Sequence, residues 1–197
     1  MSAEPRFAPA REGHGHCEDR GSRFLAWVFS APLEETLQTR LAALRAEHPK
    51  ARHHCWAWRS GARYRFSDDG EPGGTAGRPM LQTLDGAGLD EAGVICVRYF
   101  GGVKLGTGGL VRAYSASAAR AAQDAGRTPI VVRLTLPLFL PFAKLGVRDE
   151  LAALLPGATL QGEFEGEGWR GSVECDASAA TWLHAFLLER GIKPGMT

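Results

Sequence analysis

The stretch RYFGGVKLGTGGLVRAY, residues 98–114, decides how the chain is read. It leaves an apolar, β-branched run, VICVRY (94–99), turns through Gly101 and Gly102, and enters a segment in which Leu110, Tyr114 and Ala118 share one helical face. Gly126 and Pro129 supply a stop, so a helix is expected from Thr107, whose hydroxyl can cap it, to about Ala125. A central strand feeding a long helix through a glycine turn points to an α/β (α+β) protein. The glycines allow two readings. They let helix and sheet pack closely, or they leave bare backbone N–H groups at a helix N-terminus, which is an anion site when Lys104 and Arg112 add charge. On the second reading Arg98, Gly101, Gly102, Lys104, Gly106, Gly108, Gly109 and Arg112 contact an anion such as RNA phosphate. Neither G-x-x-x-x-G-K-[ST] nor G-x-G-x-x-G occurs in the block, so nucleotide binding by those mechanisms is not indicated.

Thirty residues upstream, SDDGEPGGTAGRP (67–79) crowds Asp68, Asp69 and Glu71 into a turn with Thr75 and Arg78. Three carboxylates could hold a hard cation. They could equally cap turns, or pair with Arg63, Arg65 or Arg78, and the spacing is not that of a calcium loop. No metal and no cofactor is expected. Nucleophile signatures are missing: Ser67, Ser115 and Ser117 lack a G-x-S-x-G setting, and Cys55 and Cys96 fall in strands where a buried thiol is inert. No catalytic residue is assigned.

Further out, RFLAWVF (23–29) reads as a buried strand, followed by a helix with Ser30 as cap, Pro32 in its first turn and Leu33, Leu37, Leu41 and Leu44 on one side. HHCWAWR (53–59) alternates as a strand, with Cys55 and Ala57 on one face and His54, Trp56 and Trp58 on the other; the tryptophan face is either core or an interaction surface. Arg63 to Phe66 is a pairing strand, and Gln82 to Leu84 begins a short helix. Residues 1–20 are small, polar and aperiodic, and are expected to be a flexible tail in which His14, His16 and Cys17 lack the geometry for a metal. After Arg127 the pattern is strand, helix, strand, strand, helix: Ile130 to Leu136, Phe142 to Leu155, Thr159 to Phe164, Gly168 to Cys175, Ser178 to Glu189. That is most of a ferredoxin-like unit.

At 197 residues the chain has room for these two domains, 21–127 and 128–197. Its +1 charge excludes a polyanion-coating basic protein and an acidic disordered one, but conceals a split: 17 basic against 14 acidic residues through Arg127, 6 against 8 after it. Four dispersed cysteines with no C-x-x-C pair argue for reduced thiols. With no run of 18 apolar residues and no leader-like N-terminus, a soluble cytoplasmic protein without a membrane partner is expected.

The two glycine blocks, together with His48, Pro49, Ala51, His53, Cys55 and Ala57 (H-P-x-A-x-H-x-C-x-A) and the Ser22–Phe24 entry, closely resemble the YigZ/IMPACT family, over roughly residues 20–127. Gly73 stands where that family usually has serine, and Thr107 where it often has alanine. The resemblance implies a first domain similar to domain IV of elongation factor G and to the second domain of a ribosomal protein, and a ferredoxin-like second domain. It also implies a role in translation: eukaryotic relatives regulate it by competing for a scaffold that activates a stress kinase. A protein that binds RNA or a ribosome-associated partner is therefore expected, without sequence-specific DNA binding. The other reading is an enzyme for a small phosphorylated or carboxylated ligand, with the acidic loop holding a metal.

Overall fold

A computed structural model describes residues 6–193, which divide into two compact units after Ile130. The first contains β1 (Phe7–Pro9), β2 (Gly13–Asp19), β3 (Ser22–Ser30), α1 (Glu34–Glu47), β4 (His53–Ser60), β5 (Arg63–Ser67), α2 (Gly77–Gly86), β6 (Ala92–Tyr99), α3 (Gly106–Ala125) and β7 (Arg127–Pro129). Five strands form one antiparallel sheet in the order β2-β3-β6-β4-β5. The central β6 is buried from Ala92 to Arg98 because both sheet faces are covered. Phe24, Cys55, Ala57 and Cys96 pack with Met80, Leu84, Tyr114 and the α3 alanines on one side. Trp27, Trp58, Ile95 and Val97 pack with Leu37, Leu41 and Leu44 of α1 on the other. The β4 alternation read from the sequence is thus real, but neither face is a free surface: Trp58 is buried and donates its indole N–H to Ala31 O at 2.7 Å.

Three expectations require correction. Residues 7–9 and 13–19 form strands rather than a flexible tail, and residues 1–5 of that expectation lie outside the described residues. GHGHCED alternates: Gly13, Gly15 and Cys17 face α3, while His14, His16 and Glu18 face away. A Cβ on Gly15 would be driven into the Ser117 carbonyl oxygen, and one on Gly13 into the Ala125 backbone. Glycine is there to admit a helix, and the period-two signal is hidden because the inward residues are the smallest ones. His14 and His16 accordingly point away from Cys17, and the three do not converge. Second, β7 pairs with β1 (Phe7 opposite Pro129), so the first unit extends to Ile130 rather than ending at Arg127. Third, Ser30 closes β3 opposite Ala92 instead of capping a helix, and α1 starts after Leu33 without a side-chain cap.

The second unit holds β8 (Arg133–Pro141), a 3-10 turn (Phe142–Lys144), α4 (Gly146–Leu154), β9 (Thr159–Glu165), β10 (Gly168–Asp176), a second 3-10 turn (Ala177–Ala179) and α5 (Ala180–Glu189). The antiparallel order is β8-β10-β9. Leu138, Leu140, Trp169, Val173 and Cys175 share one face and meet Val147 and Leu151 of α4 and Leu183, Phe186 and Leu187 of α5. The expected order of elements is present, with its first strand beginning at Arg133 rather than Ile130. No helix among the described residues is long and apolar enough to cross a membrane.

Candidate functional site

The β6 strand ends at Tyr99, and the chain must reach the start of α3 across the end of the sheet. Gly101 makes the crossing tight: its N–H donates to Ser22 Oγ at 3.1 Å, and a Cβ there would run into the Gly21–Ser22 backbone. Gly102 and Gly106 hold φ of 87° and 73°, which favour glycine. Helix α3 then opens on Gly106-Thr107-Gly108-Gly109 with Leu105 at the N-cap and no side-chain cap, so its first N–H groups have no acceptor from the helix or its cap. Thr107 lies inside the helix and does not cap it.

The acidic loop is bound up with the protein itself. Asp68 accepts from the N–H groups of Gly74, Ala76 and Gly77 at 2.8–2.9 Å, closing the loop and capping α2. Asp69, at φ 44°, accepts from His54 N–H at 2.7 Å and from Arg45 at 3.0 Å. Glu71 is buried; one of its oxygens accepts from Arg98 Nη1 at 2.6 Å and from the Tyr114 hydroxyl at 2.8 Å. The arginines engaged are therefore Arg45 and Arg98, not Arg63, Arg65 or Arg78. Thr75 is buried and donates to Pro72 O. The three carboxylates diverge, and among the described residues no group of three or more His, Cys, Asp or Glu could hold a metal ion.

Where the two blocks meet there is a cleft of about 370 Å³. Glu71 and Pro72 come from the acidic loop; Arg98, Phe100, Lys104, Leu105, Gly106, Thr107 and Leu110 come from the glycine block; Arg52 and His53 come from the start of β4. The cleft thus unites Arg98, Lys104, Gly106 and Glu71 of the expected site. Asp68, Asp69, Thr75, Gly101, Gly102, Gly108 and Gly109 are not among the residues that line it. Arg112 lies outside the lining, exposed, with its guanidinium 3.6 Å from where a Gly108 Cβ would be. Arg78 lines a different groove, with Tyr64 and Phe66.

Arg98 enters the cleft as half of an ion pair rather than as a free cation. Its side chain is 6% exposed, paired with Glu71 and held near the rings of Phe24 (5.4 Å) and Phe100 (5.5 Å), so its charge is already matched in the cleft floor. The cations free to meet a ligand are Lys104 and Arg52, both exposed and neither with a carboxylate partner within 4 Å among the described residues. Arg52 and Phe100 were missed from the sequence; they arrive because β4 pairs with β6, setting His53 opposite Arg98.

Behind the cleft the Cys55 thiol donates to Asp68 O at 3.0 Å and lies 3.3 Å from the Tyr114 hydroxyl. Burial pushes the Cys96 thiol up to about 12 and also raises Cys55 and the Tyr114 phenol. Burial pushes the His54 imidazole down from its ordinary value. None of these groups is an activated nucleophile.

The Impact N-terminal domain matches residues 20–122. The chain belongs to the IMPACT family. An IMPACT family member from Thermus thermophilus is 49% identical over 125 residues, covering 64% of this chain and 68% of that protein. Escherichia coli (strain K12) YigZ, another IMPACT family member, is 50% identical over 102 residues, 49% of this chain and half the length of the relative. A crystal structure described as a hypothetical protein matches 100% of this chain and 98% of its own with a TM-score of 0.72 and 31% identity. The shared IMPACT domain contains both glycine blocks, and hence the whole cleft.

Proposed function

We propose that this IMPACT-family protein acts in translation or its regulation, in the cytoplasm, by binding RNA or a ribosome-associated partner, and that the cleft is where it holds an anionic group. The observation that carries this reading is the uncapped start of α3 opening beside Lys104 and Arg52. Helix N–H groups aimed at one spot with unpaired cations around it favour a phosphate over a neutral ligand. The excess of three positive charges in the first unit acts in the same direction, and the translational setting follows from the family. The alternative of a metal-assisted enzyme loses its ligands, since Asp68, Asp69 and Glu71 are each held by other groups of the protein.

Binding of single-stranded RNA should weaken steeply with salt. Replacing Arg52 and Lys104 together by alanine should flatten the slope of log affinity against log salt by about 1.4, or about 0.7 for each phosphate that is no longer neutralised. Anisotropy titrations at several salt concentrations measure this. Absent binding, or a slope untouched by the double substitution, would sink the proposal.

A further inference from the structure

The cleft carries an acceptor among its donors. His53 Nδ1 lies 2.8 Å from the Asp69 carbonyl oxygen, which can only accept, so Nδ1 carries the proton. In the neutral ring Nε2 is then an acceptor. Its nearest carboxylate oxygen, Glu71 Oε1, is 3.9 Å away and already takes two donors, so Nε2 is open to a ligand.

On the donor side, Arg98 Nε has no hydrogen-bond partner although the residue is only 5% exposed, and Arg98 lines the same cleft as Lys104 and Gly106. A buried N–H left unmatched beside an uncapped helix start implies a ligand acceptor there. Phe100 is 40% exposed at the cleft wall, with the Arg52 guanidinium 5.7 Å and the Arg98 guanidinium 5.5 Å from its ring centroid, and Leu105 and Leu110 add apolar lining to the same cleft. The volume is at the small end of the range of about 300–1,000 Å³ for small-ligand sites, which suits one nucleotide unit rather than a protein segment.

Resting on the anion-binding reading above, we infer that the cleft takes a ribose phosphate: phosphate oxygens at the α3 start and Arg98, the sugar hydroxyl donating to His53 Nε2, and the base against Phe100. Deoxyribose lacks the hydroxyl His53 would accept, so the site distinguishes RNA from DNA.

The test compares an oligoadenylate RNA of roughly 12 nucleotides with its DNA counterpart on the unaltered protein by anisotropy at low salt. RNA should bind at least about fivefold more tightly, the value of one hydrogen bond to a desolvated acceptor. In His53→Ala the gap should close through loss of RNA affinity. AMP and dAMP as competitors separate the two sources of the group. Displacement by AMP but not dAMP assigns the cleft to free ribonucleotides; RNA preference without AMP displacement assigns it to a strand. RNA and DNA binding within about twofold, while Arg52→Ala plus Lys104→Ala still weakens both, would overturn the ribose assignment and leave the anion site standing. No binding of any probe would overturn both.

Discussion

Replacing Glu71 by alanine is expected to destabilise the first unit by about 3–5 kcal/mol, the cost of leaving a buried charge without its partner. Arg98 is 6% exposed and Glu71 4% exposed at the side chain, so water cannot take over the abandoned guanidinium. The same substitution strips the Tyr114 hydroxyl of its acceptor. Glu71→Gln should cost less, because the amide oxygen still accepts from both donors. The double variant Glu71→Ala with Arg98→Met should recover much of the loss, since an apolar pair removes the charge along with its partner. Hydrogen exchange of the β6 amides, which reports the first unit alone, measures the effect. A loss below about 1 kcal/mol in Glu71→Ala would mean that the pair is solvated and that the cleft floor is not the rigid element described.

Gly15→Ala should cost about 2–3 kcal/mol by overpacking, because the new methyl group meets the α3 backbone at Ser117 and Ala121 rather than a side chain that can turn aside. The corresponding fall in melting temperature is roughly 6–12 °C for a unit of this size. His16→Ala, on the opposite face of the same strand, should stay within about 0.5 kcal/mol. Were residues 13–19 a mobile arm, the two substitutions would be equally silent. Thermal unfolding of the pair distinguishes a fifth strand from a tail.

The contrast between these positions shows which parts of the structure can be read from residues alone. The strand–turn–helix of residues 94–125 is legible because three local signals agree: a β-branched run, glycines, and helical spacing of Leu110, Tyr114 and Ala118. β2 is not legible, because a glycine that admits a helix looks the same in sequence as a glycine that bends a loop, and only the tertiary packing separates them. The site divides along the same line. Lys104 and the α3 start follow from one contiguous segment. The Glu71–Arg98 pairing joins residues 27 positions apart, and Arg52 and His53 reach the cleft only through β4–β6 register, so an exposed-looking arginine turns out to be the floor and an unremarked one a wall. Charge counting could not anticipate this, since it weights Arg98 and Arg52 equally.

The central claim is that the start of α3 and the residues facing it receive an anionic group. The most direct measurement is an amide chemical-shift titration of the protein with single-stranded RNA. The amides of Gly106, Thr107, Gly108 and Gly109 should move together with those of His53 and Lys104, and the movements should vanish in Arg52→Ala plus Lys104→Ala. Shifts confined to the second unit, or to the Tyr64 and Phe66 groove, would place binding elsewhere and contradict the account.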